Sequence, residues 1–157
     1  MLWSEKKLLF IAMMAMLLLS ACDRQVVFEK NQAIPSEGWN YQDKIKFEAE
    51  VNDTASLHNL YINIRNTTDY GFSNLYLFLD IEFPDGTALR DTIECLLADR
   101  TGQWTGKGFG KIRSNSFLFR TDVWFPEQGN YVFTMEQAMR TQLLEGIADV
   151  GLRIERK

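Results

Sequence analysis

The sequence predicts an all-β fold, an antiparallel two-sheet β-sandwich (jelly-roll-like) of about nine strands, preceded by a cleaved signal peptide. Three observations predict it. Apolar and polar residues alternate with period two in one segment after another. Turn residues punctuate the chain at spacings of about ten residues. No strongly amphipathic helix separates the strands, so the crossover connections that a parallel sheet requires have no room.

The first stretch is read as a targeting signal and set apart from the fold. Lys6 and Lys7 make a positive n-region, and Leu8 to Leu19 is an uncharged apolar run. A helix of that length reaches about 18 Å, well short of a ~30 Å hydrocarbon core, which favours a cleaved segment over a transmembrane anchor. The run closes on Leu19-Ser20-Ala21-Cys22, the form of a lipobox. Small residues at Ser20 and Ala21 suit a peptidase cutting between Ala21 and Cys22, and the Cys22 thiol is the expected lipid attachment site. The bland alternatives are an ordinary signal peptide with a chance cysteine, or a short buried helix. The expected organisation is therefore a lipoprotein signal peptide over 1–21, a lipidated tether over 22–25 and one sandwich domain over 26–157.

Removing Glu5, Lys6 and Lys7 from 17 basic and 21 acidic residues leaves 15 and 20, a mature net charge of −5. No basic run stands out, which argues against a nucleic-acid partner. With Cys22 carrying lipid, Cys95 is the other cysteine of the chain, so no intramolecular disulfide forms. Cys95 lies within Ile93-Glu94-Cys95-Leu96-Leu97 and reads as a packed thiol. A catalytic cysteine wants a histidine beside it, and nothing in the sequence puts His58 there.

After the polar tether, Val26 to Phe28 is a candidate first strand, and Ile34-Pro35-Ser36-Glu37-Gly38 a loop before Trp39 and Tyr41. Ile45 to Val51 alternates apolar with charged residues, and Asn52-Asp53 ends it with turn chemistry. Leu60 to Arg65 alternates again. Leu75 to Phe83 is apolar on both faces in its first half, which predicts a central strand. Pro84-Asp85-Gly86 then turns the chain so that Ala88 to Leu97 pairs back as a hairpin. Ala98 to Gly110 is rich in glycine and reads as a loop. Ser116 to Arg120 and Thr121 to Phe125 read as two short strands, and Tyr131 to Glu136 as a clear one. Glu136 to Glu145 is ambiguous between a helix and the rest of a strand plus a loop. Gly146 opens the last strand, Ile147 to Glu155.

Few groups suggest chemistry. Gly102, Gly106, Gly108 and Gly110 lack the P-loop pattern and the helix that follows it, so bulges or close backbone approach explain them better. Asp80, Glu82, Asp91, Glu94, Asp99 and Asp149 supply carboxylates, but no motif selects a pair of glycosidase type. No D-x-D-x-D calcium loop is present, and one His with one free Cys is too few for zinc or iron. No metal, cofactor or catalytic residue is expected. The aromatics Trp39, Tyr41, Trp104, Phe109, Trp124 and Tyr131 are suggestive of a sugar-stacking platform, against core packing as the commoner role. Trp39 and Trp104, both expected in loops, are the best candidates for a binding surface.

Several segments carry a family resemblance. They are Gly38-Trp39, Phe47 to Thr54, Ile62 to Tyr70, Ser73 to Leu77, Asp91-Thr92 and Leu97-Ala98-Asp99. Gly102 to Gly108, Gln137 to Arg140 and Asp149 to Glu155 continue the series. In this order and spacing the mature chain resembles the gliding-motility lipoprotein family GldH of the Bacteroidetes. The resemblance implies an envelope lipoprotein associated with the gliding machinery and its linked secretion system, placed at the outer membrane, with other envelope proteins as partners. It brings no enzymatic activity and no catalytic residue; Cys22 alone matches a position of known chemical role.

Three functions are thus carried forward. A structural or assembly component of an envelope machine predicts an exposed apolar surface for a protein partner. A surface glycan-binding module predicts exposed aromatics. A hydrolase predicts two carboxylates about 5 to 10 Å apart in a cleft.

Overall fold

The alternation of apolar and charged side chains is what sorts this chain into strands with one dry face. In the computed structural model, which describes residues 25–157, ten strands follow one another. They are β1 (Val26–Ala33), β2 (Trp39–Asn40), β3 (Ile45–Val51), β4 (His58–Thr67), β5 (Asn74–Glu82), β6 (Ala88–Leu96), β7 (Ile112–Val123), β8 (Gly129–Gln137), β9 (Leu143–Leu144) and β10 (Ile147–Arg156). On β3, Ile45, Phe47, Ala49 and Val51 point inward, while Lys46, Glu48 and Glu50 face water. On β5 the same alternation buries Leu75, Leu77, Leu79 and Ile81.

Eight long strands form two four-stranded antiparallel sheets, ordered β1-β10-β4-β7 and β3-β8-β5-β6, and β2-β9 is a small separate ribbon. Successive long strands cross between the sheets except for the β5–β6 hairpin, which is the jelly-roll order. The core lies between the sheets. Phe47, Phe133, Tyr131, Leu60, Ile62, Leu77, Leu79, Leu152 and Ile154 are all fully buried there. Each such aliphatic side chain contributes about 1.5–3 kcal/mol by leaving water.

The connections fix two ends. Gln25 leads into β1 at the end that also holds His58, Val123 and Arg156, paired in register across the sheet. The opposite end holds Thr67, Ile112, Asn74, Leu96 and the β2-β9 ribbon. These are called the proximal and distal ends below.

The structure differs from the sequence reading in a few elements. The two short strands expected over Ser116 to Phe125 are one twelve-residue strand, β7. Its left-handed residue Asp122 (φ 57°) and the register shifts opposite His58 and Leu60 mask the alternation near its end. β1 runs on to Ala33 because its outer residues pair with β10 through backbone groups, whatever their side chains. The ambiguous window after Glu136 is the end of β8, a turn and β9, not a helix. Glycine settles two close approaches. A Cβ on Gly108 would stand 2.1 Å from the Ile112 carbonyl oxygen, and one on Gly146 would stand 2.8 Å from the Tyr70 Cα, where Gly146 also has φ +85°.

Candidate functional site

The outer face of the β1-β10-β4-β7 sheet carries rows of polar side chains, because residues opposite one another in an antiparallel ladder share a face. One row runs Glu29, Arg153, Tyr61, Leu118; the next runs Asn31, Gly151, Asn63, Ser116; a third runs Ala33, Asp149, Arg65, Ser114. All of these but Leu118, Gly151 and Ala33, together with Glu155 and with Lys107 and Asn115 from the rim, line an open groove of about 660 Å³. That volume is within the 300–1,000 Å³ range usual for ligand sites. Gly151 leaves room for the Asn31 side chain to lie over it: a Cβ there would run into the Asn31 side-chain oxygen at 1.7 Å.

The groove side chains are tied to one another. The Ser116 hydroxyl donates to Asn63 Oδ1 at 2.7 Å, and Asn63 Nδ2 donates to Glu29 Oε1 at 3.3 Å. Arg153 pairs with Glu29 at 2.9 Å and also with Glu155. Arg65 pairs with Asp149, whose carboxylate is otherwise shut away from solvent.

A second, apolar pocket of about 260 Å³ opens between the sheets on the side where β6 faces β7. Phe83, Leu89, Val123, Trp124 and Phe125 line it. Arg120 stands at its edge and pairs with Asp91 on β6.

Of the residues singled out in the sequence, Asp149 lines the groove and Trp124 and Tyr131 line the apolar pocket, while the others fall elsewhere. Cys22 and Ala21, the lipid attachment and cleavage positions, lie outside the described residues. Trp39 is 1% exposed, and its indole nitrogen donates to the Asp43 carbonyl at 2.7 Å. Trp104 is half-buried, packed against the core beside its bridge to Ala98. Neither is the open stacking surface that the sequence suggested. Both segments fold their indoles inward, because large apolar rings in short ribbons and loops gain most by covering the end of the sandwich. Tyr131 is buried as well, whereas Tyr41, Phe109 and Trp124 are exposed.

Five of the six carboxylates named in the sequence, Asp149 among them, are engaged structurally. Asp80 pairs with Arg90 at 2.7 Å, Asp91 with Arg120, and Glu94 accepts from Asn74 at 2.6 Å. Asp99 caps its own turn by accepting from Thr101 and Gln103, which hold its pKa below the usual carboxylate value. Among the described residues no three His, Cys, Asp or Glu side chains gather as metal ligands. Cys95 is buried, and that burial pushes its thiol up to about 12. His58 lies at the proximal end of β4 and Cys95 at the distal end of β6, so they do not form a nucleophile–base pair. Sequence reasoning missed the polar groove. Its residues come from four strands, and only the register reveals that Glu29, Arg153 and Tyr61 are neighbours.

Fold and surface together define a jelly-roll β-sandwich with a polar outer groove. Its sequence gives the particular family. The family model for the GldH lipoprotein matches residues 26–154, and the chain belongs to that family of cell-envelope lipoproteins. It is 37% identical over 154 residues to the "Gliding motility lipoprotein GldH homolog" of Christiangramia forsetii, covering 94% of each chain. It is 35% identical to the "Gliding motility lipoprotein GldH" of Flavobacterium johnsoniae, covering 94% of this chain and 95% of that one. Likeness to solved structures is remote. The VP2 subviral particle of infectious bursal disease virus aligns over 82% of this chain and 30% of its own, at 15% identity and a TM-score of 0.35. The CBM22-1–GH10 modules of a Clostridium thermocellum xylanase align over 83% and 25%, at 14% identity and a TM-score of 0.32.

Proposed function

We propose that this chain is a non-catalytic structural or assembly component of the envelope machinery for gliding motility or its linked secretion. In this reading it is held at the outer membrane by lipid on Cys22, needs no other cofactor, and works through contacts with other envelope proteins. The family membership supports the setting. The observation that carries the contact role is the distribution of exposed apolar side chains. Tyr41, Phe72, Leu96, Phe109 and Leu143 share the distal end against Leu57, Leu89 and Trp124 toward the proximal end, and Phe109 is 99% exposed at the tip of the glycine-rich loop.

The geometry gives that distribution meaning. Between Cys22 and β1 lie three residues, Asp23, Arg24 and Gln25, which can reach no more than about 10 Å. The proximal end therefore rests at the lipid surface. The ten-residue strand β4 is about 33 Å long, so the distal side chains stand that much further out. Two or three acyl chains at about 0.8 kcal/mol per buried methylene make such an anchor nearly permanent.

The test is an affinity pull-down of the lipidated protein from gently solubilised native membranes, with mass spectrometry of the proteins retained. Recovery of gliding or secretion components is the expected result, and a clean bait would remove the assembly reading. In parallel, Cys22→Ala is expected to release the protein from the membrane fraction. Retention at the unaltered level would contradict the anchor.

A further inference from the structure

We infer that the outer groove of the β1-β10-β4-β7 sheet is a binding site for a neutral glycan. Its floor is polar side chains fixed by one another, and such a floor is ready to bind without ordering itself first. Asn63 is held between Ser116 at 2.7 Å and Glu29 at 3.3 Å, and Arg153 is held by Glu29 at 2.9 Å. Side-chain amides, carboxylates and guanidinium groups present donors and acceptors in one plane. A sugar hydroxyl both donates and accepts, so neighbouring hydroxyls on a ring match Asn63, Asn31, Glu29 and Arg153 better than a one-sided ligand does. Tyr61 lies in the same row as Arg153 and lines the groove, so its ring is the aromatic group there for the carbon side of a sugar ring.

Charge selects the class of glycan. Arg65, Arg153 and Lys107 line the groove, and so do Glu29, Asp149 and Glu155. The three cations match the three anions, and both arginines are already paired with carboxylates. A phosphate, sulfate or uronate polymer finds no net positive field there, while a neutral oligosaccharide crosses the groove without opposing charge. Gly151 at the centre lets the Asn31 amide lie across the floor, where a Cβ would stand 1.7 Å from its oxygen, and so sets that amide beside Asn63 as part of the binding surface. This site is separate from the distal end that carries the proposed protein contacts, so the two readings stand or fall apart from each other.

The experiment uses the full lipidated chain in a detergent without a sugar headgroup. It is titrated calorimetrically with cellohexaose, laminarihexaose, mannohexaose and chitohexaose, and with dextran sulfate as the polyanion. At least one neutral hexasaccharide is expected to bind. Tyr61→Ala and Asn63→Asp are each expected to weaken it tenfold or more, with Trp124→Ala unchanged. Asn63→Asp keeps side-chain shape while replacing the amide donor, so it separates lost contacts from lost folding. Backbone amide shifts on addition of the sugar should centre on Tyr61, Asn63 and Arg153 in the unaltered protein. The inference is overturned if no neutral hexasaccharide binds, if dextran sulfate alone binds, or if the shifts centre away from the groove.

Discussion

Asp149 shows how a single residue ties the groove to stability. Its carboxylate is buried on the outer face of β10 and is answered by Arg65 on β4. Removing the partner of a buried charge leaves that charge uncompensated, which costs more than the pair itself contributes. Arg65 is half-exposed, so water recovers part of the loss, and Arg65→Ala is expected to destabilise the fold by about 2–3 kcal/mol. Removing both, in Arg65→Ala with Asp149→Asn, should cost less than Arg65→Ala alone, as read from urea midpoints. Asp53 offers a pH test. Its carboxylate accepts from the Ser56 hydroxyl at 2.8 Å and from the Ser56 and Ala55 amides, and it pairs with Arg156 at 2.8 Å. These donors hold it down to about 2 from an ordinary 3.8. A lowered folded value means stability that is present above the ordinary pKa and is lost as pH falls from about 4 through 2. Asp53→Asn should flatten that part of the pH–stability curve, and an unchanged slope would show that the turn does not depend on the carboxylate.

At the scale of elements, the strands with one wet face were legible and the edges were not. β3, β4 and β8 announce themselves because half of each strand must be apolar to face the core, and β5, read as apolar on both faces and central, is an inner strand of its sheet that fully buries only alternate residues. The hairpin at Pro84-Asp85-Gly86 was legible too, from turn chemistry, and Gly86 does adopt φ +82°. β7 was not, because an edge strand satisfies fewer apolar neighbours and carries Ser114, Asn115, Ser116 and Arg120. The ribbons β2 and β9 are too short for any period to show. In the glycine-rich loop, read as bulges, bends or close backbone approach, Gly106 and Gly108 are close approaches, whereas Gly102 and Gly110 take positive φ in open space. The loop lies against the outer edge of β7, where the Lys107 amide donates to the Ser114 carbonyl at 3.0 Å and the Ser114 amide donates to the Lys107 carbonyl at 2.7 Å. Gly108→Ala is expected to push this flap off β7 at a cost of about 1–3 kcal/mol. Amide exchange at Lys107 and Ser114 should quicken while β5 and β8 stay protected. Unchanged exchange at both amides would show that the flap tolerates the side chain.

For the whole molecule, topology converts local patterning into two different ends. The jelly-roll order places the start of β1 at one end and the glycine-rich loop at the other, and no single segment of sequence encodes that separation. The expectation of a stacking surface at Trp39 and Trp104 failed for the same reason. Loop aromatics look available in a linear reading, and only the assembled sandwich shows which of them cover its core and which, like Phe109, remain in water. The central claim is a lipid-held protein that meets its partners with the end remote from the lipid. The most direct measurement is photocrosslinking in living cells, with a benzophenone side chain placed at Phe109 or, for comparison, at Leu57 near the proximal end. Discrete crosslinks to envelope proteins of the gliding or secretion machinery are expected from position 109 and none of these from position 57. Crosslinks from position 57 alone, or no protein adduct from position 109, would contradict the claim.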